Sequence, residues 1–268
     1  EAYQIAIIVQ PSFVIGHSNL GTIYTQQGKF EKAIDAFQKV IQLDKSPAEP
    51  YLKLGWIYAR QQKYDLAESY LLQASQRNPK LMLARQGLGE IYIQQGNLEG
   101  AIDSYVKLVE VHPTESQAWL RLGVLRINVN QRSKAIENFK KVIEIDPESA
   151  AAYNNLAWLY ADLQINLDQA VGLAKKAVEL APTSSNFDTL AYVYYQRKQY
   201  PQAEEAIKRA IKISPSNQKY NEMLKKFTVG SQKEPTSDNK RIDQTTTNNH
   251  TLCFTFFFIL FDLLLSPV

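Results

Sequence analysis

The sequence predicts an all-α chain built from a repeated helical hairpin, and three observations predict it. A leucine followed by a small residue recurs every 34 residues without a slip, at Leu20-Gly21, Leu54-Gly55, Leu88-Gly89, Leu122-Gly123, Leu156-Ala157 and Leu190-Ala191. Around these marks the apolar residues fall at helical spacing, as in Leu54, Ile57, Tyr58 and then Leu66, Ala67, Tyr70, Leu71. Prolines close the units at Pro79, Pro113, Pro147, Pro182 and Pro215, with Lys45 in the first such place.

Composition agrees and excludes several functions. Of 268 residues, 45% are apolar and 21% charged, a globular profile. The net charge of +3 is too near balance to make nucleic acid the default partner. Cys253 is the single cysteine, so neither a disulfide framework nor a cysteine-rich metal site is expected. His17, His112 and His250 stand far apart, and no glycine-rich phosphate loop or nucleophile motif occurs. We expect no enzyme, no metal and no cofactor in these residues.

Taken in chain order, residues 1–13 read as the second helix of a unit whose first helix is absent, because Pro11 lies 34 residues before Lys45. The sequence therefore reads as an N-terminally truncated fragment, and its first helix should expose Ile5 and Ile8. Six units follow, at about 14–47, 48–81, 82–115, 116–149, 150–183 and 184–217. In each, a small residue on the first helix and an alanine on the second (Ala33, Ala67, Ala101, Ala135, Ala170, Ala203) let two backbones cross closely. A tyrosine three residues after the small residue (Tyr24, Tyr58, Tyr92, Tyr160, Tyr194) fills the core with its ring and keeps its hydroxyl wet, and Arg126 is the one substitution. Gly28 and Gly96 fall where a left-handed helix end is wanted. Glu31, Asp65, Glu99 and Asp168 open the second helices, which suits the positive end of the helix dipole. The fifth unit carries one extra residue between its helices, near Ile165-Asn166.

Residues 216–227 predict a capping helix, with Tyr220, Met223, Leu224 and Phe227 on one face and lysines and Glu222 opposite. Residues 228–250 are polar and read as a disordered linker. The apolar segment 252–265, within the tail 251–268, has no kinship with the rest. It is short for a membrane span and carries Asp262. Three readings stand side by side for it: an irregular C-terminus, membrane or interface contact, and packing on the repeats.

The frame Trp119…Leu122-Gly123…Ala135…Phe139…Pro147, with Tyr51…Leu54-Gly55…Tyr58…Ala67…Leu71…Pro79, strongly resembles the tetratricopeptide repeat (TPR) family over residues 14–217. The resemblance implies a right-handed superhelical solenoid whose first helices line a concave groove. It also implies a protein-interaction scaffold binding a peptide or partner helix there. Register then nominates groove residues: Asn19, Lys53, Trp56, Arg60, Glu90, Arg121, Asn128, Asn154, Asn155, Trp158, Asp162 and Tyr192. Trp56 and Trp158 have two readings, packing between units or holding a ligand, and Lys53, Arg60 and Arg121 two more, solvated surface or ligand contact. His17 sits in an aromatic slot and reads as a core or half-buried histidine. The chaperone-tail clamp and the asparagine ladder known in the family are both broken here. Two other functions are carried beside the scaffold: a membrane-attached assembly factor of the bacterial envelope or pilus type, and the regulatory arm of a larger enzyme such as a glycosyltransferase. The cytoplasm is the default compartment, with a membrane or periplasmic place left open, and the oligomeric state is left unassigned.

Overall fold

The computed structural model describes residues 2–232 of the chain. They form fourteen helices, and no strand occurs among the described residues. Two compact units divide them: the first holds residues 2–97 and the second residues 98–232.

The first unit runs α1 (Ala2–Val9), α2 (Val14–Gln26), α3 (Phe30–Leu43), α4 (Glu49–Arg60), α5 (Tyr64–Arg77) and α6 (Met82–Gln94). α2 packs on α3 and α4 on α5 as hairpins, α3 abuts α4, and α4 also meets α6. Its core gathers Phe37, Tyr51, Leu54, Trp56, Ile57, Leu71 and Leu88. α1 buries no residue: Ile5 is 62% exposed and Ile8 78%.

The second unit runs α7 (Leu98–Val111), α8 (Ser116–Asn128), α9 (Arg132–Ile145), α10 (Ala150–Asp162), α11 (Leu167–Leu180), α12 (Ser184–Gln196), α13 (Tyr200–Ile213) and α14 (Gln218–Gln232). Hairpins α8–α9, α10–α11 and α12–α13 stack in order, and α10 also packs beside α12. One continuous core runs from Ala135 and Phe139 through Leu156, Tyr160 and Leu190 to Ile207, Tyr220 and Phe227.

The 34-residue period is visible in the backbone itself. Six left-handed residues close the first helices, at Gly28, Gln62, Gly96, Asn130, Gln164 and Lys198, with φ between 54° and 73°. The residue after each donates its N–H to the carbonyl five residues back, from Lys29 to Tyr24 through Gln199 to Tyr194, at 2.7–3.0 Å. This is the Schellman closure, and it satisfies helix-end carbonyls that would otherwise lack partners. Sequence reading found only the two glycines, because the other four positions hold residues that pay a steric cost for the same shape. The extra residue of the fifth turn adds a second left-handed position at Asn166. Each closing proline stands two residues beyond a helix end, after a residue in extended conformation at Asn78 and Ala181.

Helix crossings explain the small residues. A Cβ on Gly21 would lie 2.8 Å from the Phe37 ring, on Gly55 2.6 Å from Leu71, and on Gly123 2.6 Å from Phe139. The partner stands sixteen residues on in each case. Where the first helix carries alanine, the corresponding residues on the second helix are smaller than phenylalanine: Ala174 for Ala157 and Ile207 for Ala191, all fully buried or nearly so. Small and large trade volume across the crossing, as close packing demands.

One expectation changes. The capping helix was expected over 216–227, with disorder from 228; α14 instead runs to Gln232. Thr228 Oγ1 donates to the Leu224 carbonyl at 3.0 Å, and a Cβ on Gly230 would sit 2.8 Å from the Tyr200 ring, so the helix continues because Gly230 fits against α13. The arginine in the tyrosine column is also accommodated: Arg126 Nη1 bonds Asn138 Oδ1, twelve residues on, where Tyr58 instead stacks on Tyr70 at 5.4 Å. Burial holds the Arg126 guanidinium below the usual arginine range. The remaining linker and the segment 252–265 lie outside the described residues.

Candidate functional site

The first helix of each hairpin presents residues at i, i+4 and i+8 along one face, because 3.6 residues complete a turn. In the first unit α2 contributes Asn19, half-buried, and α4 contributes Lys53, Trp56 and Arg60. Trp56 is only 7% exposed and belongs to the core. A Cβ on Gly87 would touch its ring at 3.2 Å, so the indole occupies the space that the glycine of the next first helix leaves. The two readings of Trp56 thus resolve toward packing. Arg60 is exposed and its guanidinium stands 5.7 Å from the centre of the Phe30 ring. Glu90, on α6, is half-buried.

The second unit treats the equivalent tryptophan differently. Trp158 on α10 is half-buried and packs on the rim of the core. The residue that corresponds to Gly87 is Thr189, which is buried and keeps its side chain. Trp158 is half-buried where Trp56 is buried. Sequence register could not separate the two tryptophans, because the difference lies in a residue thirty-one positions later.

Around Trp158 the side chains form a polar frame. α10 places Asn154, Trp158 and Asp162 in one row; α12, beside it, places Asp188, Tyr192 and Gln196 in the next. Asn155 is buried at 8% exposure. Asp162 pairs with Arg132, whose Nε also donates to Asn130 Oδ1 at 3.0 Å. Asp188 pairs with Lys219 of α14 at 3.5 Å. Gln164 Nε2 donates to Gln196 Oε1 at 3.3 Å. Burial pushes the Tyr192 hydroxyl above its ordinary pKa, while a hydrogen bond from Gln196 pulls the other way. The Asn154 Oδ1 atom is buried and accepts no hydrogen bond among the described residues.

Of the residues nominated from sequence, Arg121 is half-buried and Asn128 exposed on α8. Arg132 was missed. It lies on α9, a second helix, and a register built on first helices cannot reach it. Lys219 was missed as a site residue for a related reason, since the reading spent α14 on capping. His17, in its aromatic slot, is half-buried as expected, and its ring nitrogen meets the Pro11 carbonyl at 2.9 Å. Trp119 uses the corresponding contact to Pro113 at 2.9 Å.

No cluster of metal-binding side chains occurs among the described residues. No helix of the described residues is long and apolar enough to cross a membrane.

Residues 14–223 match the family model described as the C-terminal domain of cilia and flagella-associated protein 70, a TPR domain. The C-terminal part of a TPR repeat-containing protein from Cytophaga hutchinsonii is similar in structure, with TM-score 0.70 and 19% identity, over 83% of this chain and 92% of that one. YrrB, described as a TPR protein with an unusual peptide-binding site, aligns with TM-score 0.63 and 20% identity, over 72% of this chain and 100% of its own. MamA aligns with TM-score 0.55 and 26% identity, over 62% of this chain and 91% of its own. No curated protein matches the sequence.

Proposed function

The chain belongs to the tetratricopeptide repeat family, through the C-terminal domain of cilia and flagella-associated protein 70, and from that premise we propose that it is a scaffold whose first-helix faces hold an extended peptide or a partner's helix. One observation carries the reading. Trp158 and Tyr192, both large and both only half-buried, stand on adjacent helices among polar side chains that the core does not consume. A crossing that needed only packing would bury Trp158 as it buries Trp56. Rigid aromatic side chains at a surface bind at low entropic cost, and tryptophan, tyrosine and arginine dominate binding hot spots. YrrB, whose own description names a peptide-binding site, adds a fold-level likeness. The scaffold performs no chemistry in this reading.

The membrane-attached reading depends on residues 252–265, and the regulatory-arm reading on a fused domain, and both lie beyond the described residues.

The test is selection of twelve-residue peptides from a random display library on the immobilised full chain. Enriched peptides should bind the wild type, and Trp158→Ala should weaken them about tenfold, the loss of one hot-spot contact, with Arg121→Glu weakening them further. Failure to enrich any peptide, or binding indifferent to both substitutions, refutes the proposal.

A further inference from the structure

We propose that Ile5, Ile8 and Val9 of α1 form a docking surface on a second helix, and that its occupant is the apolar segment 252–265 of the same chain.

The surface is marked by its columns in the repeat. α1 meets α2 through Ile7, since a Cβ on Gly16 would lie 2.9 Å from Ile7 Cγ2. Ile5, Ile8 and Val9, at i, i+3 and i+4, share the other side and are 62%, 78% and 79% exposed. In the six later second helices the place of Ile5 is taken by Lys39, Gln73, Lys107, Lys141, Lys176 and Arg209. The place of Ile8 is taken by Gln42, Gln76, Glu110, Glu144, Glu179 and Lys212, every one of them exposed. Only α1 carries isoleucine in these two columns.

α3 shows that the exposure belongs to the columns. It packs on both α2 and α4, and Phe37, in the column of Tyr3, fills the crossing against Gly21. Gln42 stays exposed and Lys39 half-buried although both neighbours are present. A helix in the usual hairpin place therefore leaves the columns of Ile5 and Ile8 at the surface. The repeat does not account for isoleucine there, and something outside the repeat must.

Area decides between a free partner and a tethered one. A fully exposed isoleucine or valine side chain offers about 60–120 Å² of apolar area, so the stripe amounts to about 200 Å². Two copies docked stripe to stripe would bury about 400 Å², against the roughly 1,200–2,000 Å² of a stable interface. A segment of the same chain escapes that requirement, because a flexible tether raises its effective concentration to the order of millimolar.

The chain supplies such a segment. Residues 233–268 follow the described Gln232, and 252–265 is Leu-, Phe- and Ile-rich with one charge, Asp262. A run so apolar gains by leaving water. The last hairpin is already closed by α14, whose Tyr220 and Phe227 are 6% and 1% exposed. Residues 2–28, by contrast, carry no Asp, Glu, Lys or Arg, so an apolar segment laid on α1 strips no charge of its water.

The experiment uses the full chain, in which Cys253 is the single cysteine and reports on the segment from within. Its rate of maleimide labelling is compared between the wild type and Ile5→Lys with Ile8→Gln, which copies Lys39 and Gln42 of α3 and so keeps the fold. Labelling should be about tenfold or more faster in the variant, while the urea midpoint stays within the range of a surface change. The wild-type rate should not change from about 1 to about 100 μM protein, with a monomer mass by light scattering. Reciprocally, deleting residues 251–268 should speed amide exchange in α1 about fivefold or more and leave α10 and α12 as they were. Equal labelling of wild type and variant overturns the proposal, as does exchange in α1 that ignores the deletion. Protection of Cys253 that grows with protein concentration and a dimer mass would assign the surface to a second copy. Protection that needs phosphatidylcholine vesicles would assign the segment to lipid, and either result overturns the docking within one chain.

Discussion

Replacing Gly123 by alanine tests the packing account at its tightest point. A Cβ there would lie 2.6 Å from Phe139 Cε1, 2.9 Å from Cζ and 3.0 Å from Cδ1. Comfortable carbon contacts are about 3.5–4.0 Å, so the ring must retreat by about 1 Å. Phe139 is fully buried in the core of residues 98–232 and has nowhere free to go. Overpacking of this kind costs about 1–3 kcal/mol. Alanine in place of helical glycine also gains about 0.8–1 kcal/mol, so the single measurement mixes two effects. Gly172 separates them. It is also helical, on α11, and a Cβ there meets nothing within 4 Å. Gly172→Ala should therefore stabilise by about 1 kcal/mol. Gly123→Ala should fall below it by about 1–3 kcal/mol, which is the clash alone. The assay is urea unfolding of the full chain, comparing midpoints at unchanged m. In a Phe139→Ile background, which copies the Ala191 and Ile207 combination of the last hairpin, Gly123→Ala should approach the Gly172→Ala result. Equal stabilisation by Gly123→Ala and Gly172→Ala in the wild-type background would refute the reasoning, since no crossing would then be limiting.

Three more outcomes follow from other parts of the structure. Lys198→Gly should raise stability by about 1 kcal/mol, because Lys198 holds a left-handed conformation at φ 59° that glycine adopts without strain, and the same urea assay reads it. Asn138→Ala should cost about 2–3 kcal/mol by stripping Arg126 of its buried partner, and adding Arg126→Tyr should recover most of it by restoring the column's usual residue. Tyr192 has its pKa raised in the folded state, so the folded chain prefers the neutral phenol. Its contribution is full below the unfolded tyrosine value near pH 10 and is lost as pH rises through the folded value. Stability should thus decline above about pH 10, and Tyr192→Phe should lessen the decline in alkaline melts.

Much of this fold was legible because the repeat counts the same physics six times. A leucine-small pair, an alanine and a proline at fixed spacing mark the crossing, its opposite wall and its end, and the helix bounds follow them closely. What escaped was whatever depends on two residues far apart in sequence. Gln62, Gln164 and Lys198 give no chemical sign of their left-handed backbone, since the turn imposes it through the hydrogen bond that follows, and only Asn130 is of a type that tolerates it. The extension of α14 depends on Gly230 meeting Tyr200, thirty residues earlier. The candidate site was half legible. Register put Asn154, Trp158, Asp162 and Tyr192 on neighbouring helix faces, but Arg132 reaches Asp162 from a second helix. The fate of each tryptophan turned on whether glycine or threonine stands thirty-one residues on.

The contrast between those tryptophans is the most direct test of the central claim, that this repeat sinks one indole into its core and leaves the other for a ligand. Trp56→Ala and Trp158→Ala should be compared for both urea stability and affinity for a display-selected peptide. Trp56→Ala should cost about 3–5 kcal/mol, the toll of emptying a buried aromatic site. Trp158→Ala should cost markedly less stability and about tenfold or more in affinity. Loss of stability without loss of affinity at Trp158 would contradict the account.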